Sequence, residues 1–261
     1  MYCDPLVFFA ATGFLFGITI GSFLNVLIWR LPRNESIVFP GSHCPSCNKP
    51  IHWYDNIPLL SYLLLLGKCR SCGARISWRY PLIELVSGVF LAAYLLRFGF
   101  GVGLLYYAFT AALLVVTMID IDHKIIPDVI SLPGIPLCLA ANMFLLSPNW
   151  QSGLIHGGVG VLLGGGTLLA VALGYYLLTR REGMGLGDPK LMAMIGALTG
   201  WQGVIFTMLV SSFVGTVVGV LYVVLAGKDR RFPIPFGPFL SLGAVSYLWI
   251  GDTTIRWYLG Y

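Results

Sequence analysis

Long, nearly uninterrupted apolar runs alternate along this chain with short polar connections. Most runs are close to the roughly 17–25 residues that a helix needs to cross about 30 Å of hydrocarbon. The pattern predicts eight membrane-spanning helices, at residues 6–29, 81–97, 102–119, 130–146, 157–179, 190–202, 204–226 and 236–251. The first run lacks the basic start and small-residue cleavage site of a secretory signal, so it is read as a span. The sixth is short, and the fourth carries Pro133 and Pro136. Both are tolerable where neighbouring helices cover the freed backbone groups.

Composition changes the picture by removing alternatives. Apolar residues make up 57% of the 261, charged residues 10%, and the mean hydropathy is +0.83. A chain this poor in charge cannot cover a globule with solvated side chains, which excludes a soluble enzyme, a disordered segment and a secreted disulfide scaffold. The net charge of +5 does not point to nucleic acid, because its placement follows topology. Connections 30–80, 120–129, 180–190 and 227–235 hold 14 of the 16 Lys and Arg residues, leaving only Arg97 and Arg256 on the other side. Basic loops stay cytoplasmic, so both termini are expected to face outward, with the chemistry at the cytoplasmic face.

Residues 30–80 form the one sizeable polar segment. It contains Cys44-Pro-Ser-Cys47 and Cys69-Arg-Ser-Cys72, with 21 residues between the pairs. Two C-x-x-C knuckles can bring four thiolates around one tetrahedral ion, the arrangement zinc favours. A reducing cytoplasm argues against two structural disulfides, and a thioredoxin-like redox role lacks its βαβ setting. A segment this small buries little core, so a metal would supply its stability. His43 and His52 are expected at the surface, and Cys3 and Cys138 as small packing groups. The run Ile57–Leu66 is too short to cross and is expected as a hairpin or interfacial segment. The division expected is a first helix (1–29), a tetra-cysteine zinc domain (30–80) and a seven-helix core (81–261).

Only 11 residues are acidic, so those at the ends of spans stand out. Asp120, Asp122 and Asp128 follow the third span, and Asp188 closes Gly185-Leu-Gly-Asp before the sixth. Ionisable groups beside spans are costly and read as functional by default. Two carboxylates from different helices could share a proton and activate water, as in an aspartic protease. Solvated ion pairs with Lys124, Arg180, Arg181 or Lys190, and a cation or proton pathway, are the alternatives. No H-E-x-x-H, G-x-S-x-G or phosphate-binding G-x-x-x-x-G-K-[ST] is present.

Taken together, several stretches show a resemblance. Gly21-Ser-Phe-Leu-Asn-Val26 is followed by Arg30-Leu-Pro32 and by both C-x-x-C pairs. Then come Trp53-Tyr-Asp-Asn-Ile-Pro58, Trp78-Arg-Tyr-Pro-Leu-Ile-Glu84, the Asp120-to-Asp128 stretch and Gly185-Leu-Gly-Asp188. In order and spacing this resembles the bacterial type IV prepilin peptidases, bifunctional leader peptidases and N-methyltransferases of pilus and type II secretion systems. The resemblance implies an aspartic pair formed by Asp120 and Asp188, with Asp122 and Asp128 as competitors for the first role. Asp122 lies about 200° further around the helix, so the two cannot face Asp188 equally. Prepilin substrates with a basic leader, Gly before the cut and usually Phe after it are also implied.

The resemblance further implies S-adenosylmethionine as donor for methylating the new N-terminus. A Rossmann-type site is absent. Gly21, Asn25, Arg30 and Glu84 are candidates for that activity by resemblance. Each also has an ordinary structural alternative: close helix packing at Gly21 and Ser22, an interhelical hydrogen bond from Asn25, an orientation anchor in Arg30, and a partner for Arg79 in Glu84. The expectation is therefore an all-α, multi-pass inner-membrane protease with structural zinc, prepilin or pseudopilin substrates and pilus or secretion machinery as partners. A transporter using the same carboxylates is the rival from another class, and a non-catalytic assembly factor a third.

Overall fold

The computed structural model describes residues 5–180, 185–226, 235–251 and 253–255. Cys3, Arg181 and Arg256, named above from the sequence, lie outside them, as does most of the basic connection 227–235. Among the described residues the regular structure is helical: α1 Pro5–Arg30, α2 Leu60–Leu64, α3 Arg79–His123, α4 Asp128–Ala141, α5 Trp150–Thr179, α6 Gly187–Ala226 and α7 Gly237–Ser246. Five of the helical stretches are long and apolar enough to cross a membrane. The chain is a polytopic membrane protein.

Two of these helices are not straight rods. In α3, Gly99 takes φ 74°, a left-handed conformation open mainly to glycine. Beyond it the chain runs back along itself. Ser87 Oγ lies 2.7 Å from Tyr107 Oη and Tyr94 Oη 2.8 Å from Thr110 Oγ1, although a straight helix would hold these pairs about 30 and 24 Å apart. Gly200 does the same in α6, with φ 68°. There Val204 packs against Gly196, a pair that a straight helix would separate by about 12 Å. Each reversal costs one residue of loop. The two arms of α3 correspond to the expected helices 81–97 and 102–119, and those of α6 to 190–202 and 204–226, although the reversal at Gly200 falls inside the first of these, three residues before the expected break.

Two compact units divide the chain at Ala111 and Ala112. In the first, α1 meets the first arm of α3 through small residues. A side-chain carbon at Gly17 would stand 2.7 Å from Gly88 Cα, and one at Gly21 2.7 Å from Glu84 Cα. Close backbone approach of this kind is how helices associate where lipid offers no hydrophobic drive. The polar segment hangs between these helices. Arg30, buried at the end of α1, donates to the carbonyls of Ser36 and Pro40 at 2.7 and 2.6 Å and so gathers the following loop. In α2, Ser61 is buried while Leu63 and Leu64 face outward, the exposure pattern of an interfacial segment.

In the second unit α6 is central, packed by α4, α5 and α7. Gly160 of α5 faces Gly196 and Gly200 of α6 backbone to backbone. The Gly200 reversal frees carbonyls at the end of the first arm. Asn142, buried below α4, donates its amide to two of them, Ala197 at 3.1 Å and Leu198 at 3.0 Å. Helix α5 starts at Trp150, seven residues before the expected boundary, because Asn149 Oδ1 accepts the Ser152 N–H at 2.8 Å and caps it.

Candidate active site and metal centre

Asp120 sits in the last turn of α3 and is 5% exposed. Asp122, two residues on, points out of the bundle and is exposed. The difference is the helical periodicity at work, since about 200° of rotation moves a side chain from an inward to an outward face. Asp128 opens α4, and both its oxygens accept from Lys190 Nζ at 2.8 Å. Asp188 lies in the first turn of α6, half-buried, and close enough to Asp120 for the charge of one carboxyl to act on the other. Gly187 before it is held against Ile126, where a side-chain carbon would come within 2.8 Å.

One participant had no sequence signal. Gly237, first residue of α7, donates its N–H to Asp120 Oδ2 at 2.9 Å. The first N–H groups of a helix have no partner inside it, so this donor is available for a buried carboxylate. The contact also needs glycine. A side-chain carbon at 237 would lie 2.7 Å from Asp120 Oδ2 and 3.3 Å from Cγ.

The polar segment brings all four predicted cysteines together, their sulfurs within 4.8 Å of one another. Two matching turns do this. Cys44 N–H bonds the Lys49 carbonyl with Asn48 left-handed at φ 55°; Cys69 N–H bonds the Ala74 carbonyl with Gly73 left-handed at φ 72°. Each knuckle thus folds its two thiols toward one point. Cys44 Sγ lies 3.8 Å from Cys72 Sγ, the edge of a tetrahedron with metal–sulfur bonds of about 2.3 Å. The backbone N–H groups of Ser46 and Cys47 draw the Cys44 thiol down to about 6. At Cys72 the Ala74 N–H pulls downward, but desolvation and the three neighbouring thiols prevail and push it up to about 11. A cluster that holds its first thiolate readily and its last reluctantly is suited to a cation. His43 and His52 are exposed and stand outside the cluster. Arg70, within the second knuckle, donates to both oxygens of Asp55 at 2.7–3.0 Å. That bonding holds the Asp55 carboxyl below the usual range.

Beside the cluster a cavity of about 450 Å³ opens between the end of α1, the start of α3 and the knuckles. Asn25, Arg30 and Glu84 line it, with Ser22, Trp29, Tyr62 and Tyr80. Gly21 does not: it serves the helix contact described above. Asn25 ties α1 to α3 by donating to the Tyr80 carbonyl at 3.2 Å. Glu84 is buried and accepts the Leu59 N–H at 2.8 Å and a bond from Ser22. Leu59 itself is left-handed, φ 61°, so the carboxylate holds a turn that a leucine alone would avoid.

Comparison with known proteins decides what this arrangement belongs to. Residues 15–98 match the Bacterial Peptidase A24 N-terminal domain, and residues 107–220 the Type IV leader peptidase family. A Pseudomonas aeruginosa protein named prepilin leader peptidase/N-methyltransferase is 40% identical, aligned over 98% of this chain and 94% of its own. The chain belongs to the type IV leader peptidase family. Family members of the same name from Aeromonas hydrophila and Legionella pneumophila are 38% and 35% identical, covering 98% and 95% of this chain and 95% and 93% of theirs. No solved structure matches. Within the family frame, all the acids at the ends of α3 and α6 fall inside the leader peptidase match, and the cysteine cluster and cavity inside the N-terminal one.

Proposed function

We propose that this leader peptidase cleaves prepilins or pseudopilins after Gly at the cytoplasmic face of the inner membrane, with Asp120 and Asp188 as its catalytic pair. It then methylates the new N-terminal residue, usually Phe. As a member of its family the chain is a peptidase with methyltransferase activity. The observation that carries the catalytic assignment is the burial of Asp120 within charge-to-charge reach of Asp188. Two carboxyl groups so placed cannot both ionise comfortably, so they share one proton. The ionised one draws a proton from water attacking the scissile carbonyl. The protonated one steadies the developing oxyanion, and the leaving amine receives a proton in turn. Eight crossings with both termini outward, counting each arm of α3 and α6, accord with the basic connections. They frame a first helix at 1–29, the cysteine domain at 30–80 and a membrane core at 81–261.

The four thiols fit Zn²⁺ in number, type and spacing, and the ion would brace a segment with little core of its own. The cavity fits S-adenosylmethionine in size, about 450 Å³ within the range of small-molecule sites. It offers aromatic faces, the Asn25 amide and the Glu84 carboxylate to its polar groups. When bound, that donor supplies an electrophilic methyl group. Glu84 would hold and orient cationic or hydroxyl groups there, and Arg30 would keep the 36–41 loop against the cavity wall.

The test uses purified protein in detergent and a synthetic prepilin whose leader ends in Gly before Phe. Cleavage and methylation are followed by mass spectrometry for wild type, Asp120→Asn, Asp122→Asn and Asp188→Asn. Loss of cleavage in the first and third variants alone supports the assignment. Loss in Asp122→Asn with an active Asp120→Asn moves the first role two residues along, and equal cleavage by all four refutes an aspartic mechanism.

A further inference from the structure

A carboxyl pair that shares one proton must place it on one partner, and the surroundings of Asp120 and Asp188 differ in a way that decides which. Asp120 accepts a backbone N–H from Gly237 at 2.9 Å. A hydrogen bond donated to a carboxylate favours its charged form. Among the described residues, Asp188 receives no such donor. The other charged groups around them do not redress the balance. From α4 comes Asp128, closed by Lys190 of α6. Beyond Asp120, Asp122 and His123 on its own helix and Lys124 just after it are exposed. Helix α7 contributes no charged side chain over 237–251, and α5 only His156, which packs at the Gly200 reversal.

We propose that Gly237 is a positioning residue for cleavage, its N–H fixing Asp120 in orientation and keeping it the ionised member of the pair, with the shared proton on Asp188. This rests on Asp120 and Asp188 being the catalytic pair. Asp120 then takes a proton from water as the water oxygen bonds the scissile carbon, and Asp188 gives its proton to the carbonyl oxygen. When the C–N bond breaks, Asp120 passes its proton to the departing amine nitrogen and Asp188 recovers one from the tetrahedral hydroxyl. Both acids return to their starting state. Only glycine serves at 237, because any side chain would displace the oxygen that the N–H must meet.

The experiment replaces Gly237 by glycolic acid in the full-length protein through a suppressor tRNA, exchanging N–H for oxygen without adding a side chain. Folding is verified by methyl transfer to a leaderless peptide beginning with Phe. Removing the donor makes ionised Asp120 less favourable, so its proton is lost at higher pH. The acidic limb of the cleavage profile should move up by about one pH unit, with kcat down about tenfold and KM unchanged. Gly237→Ala, which also pushes the carboxylate aside, should lose about a hundredfold in kcat. A native pH profile and kcat in the ester protein, or a fall in both activities together, overturns the role of Gly237. Asp120→Asn is measured alongside: if it still cleaves, the catalytic pair itself is wrong, and if it is dead while the ester protein is native, only the positioning role fails.

Discussion

Lys190 Nζ stands 2.8 Å from both carboxylate oxygens of Asp128, tying the first turn of α6 to the start of α4. The acids of this region are thereby sorted by circumstance. Asp128 is occupied by a cation, Asp122 is exposed, and Asp120 is buried within electrostatic reach of Asp188 with a backbone N–H on it.

That sorting makes Asp128 dispensable for chemistry. The pair is partly exposed on both sides, 33% at Lys190 and 55% at Asp128, so it contributes at most about 1 kcal/mol. Asp128→Asn and Lys190→Ala should each leave kcat/KM for a prepilin peptide within about threefold of wild type. Asp120→Asn should lose about a hundredfold or more. Steady-state cleavage kinetics at one pH separate the two outcomes, and a dead Asp128→Asn would shift attention to that residue.

The thiol cluster predicts a pH-dependent metal affinity with a definite sign. Cys44 is ionised above about 6, whereas Cys72 holds its proton to about 11. Metal binding must therefore release protons at neutral pH, and affinity should rise as pH rises. Titrating metal-free protein with Co²⁺ between pH 6 and 8, read by thiolate charge-transfer absorption, should show steadily tighter binding. Cys69→Ser should abolish the band, and an affinity flat with pH would mean that the thiols are not the ligands.

Glu84 should separate the two activities. Gln at 84 keeps an acceptor for the Leu59 N–H but removes the charge facing the cavity. Glu84→Gln should lower methyl transfer to a leaderless peptide about tenfold or more, the scale of a lost charged hydrogen bond, with cleavage of prepilin unchanged. Equal losses in both would assign Glu84 to structure alone.

Close packing of α5 on α6 gives a stability prediction with an internal control. Gly160 meets the α6 backbone, with Gly200 Cα 2.9 Å from where its side-chain carbon would be, whereas Gly158 faces open space. Gly160→Leu should cost about 1–3 kcal/mol or more and lower the thermal midpoint in detergent by several degrees. Gly158→Leu should leave it within a degree or two, and similar effects from both would deny the contact.

Much of the helical layout was legible because lipid enforces it: a segment in hydrocarbon must satisfy its own backbone, so apolar run length translates into helices. The reversal at Gly99 falls between two expected helices for the same reason, whereas that at Gly200 comes three residues before the expected break at 203. What sequence reading mistook was local. The Asn149 cap moved the start of α5 outward, since a polar first turn contributes nothing to hydropathy. Gathering of Cys44, Cys47, Cys69 and Cys72 was legible from spacing. The inward face of Asp120 and outward face of Asp122 accord with helical rotation. Gly237 was not legible, because a backbone N–H carries no side-chain signature and meets Asp120 from 117 residues away.

The single-residue reversal at Gly200 couples parts that look independent. One arm of α6 carries Asp188; the other packs on α7, with Gly243 against Thr207, and α7 delivers the N–H to Asp120. A slack loop between the arms would let each drift on its own. A one-residue joint gears them together, so that rotation of either arm is transmitted to both groups that flank Asp120. Registration of the pair is thus a property of a hinge twelve residues from Asp188, about 18 Å along the first arm.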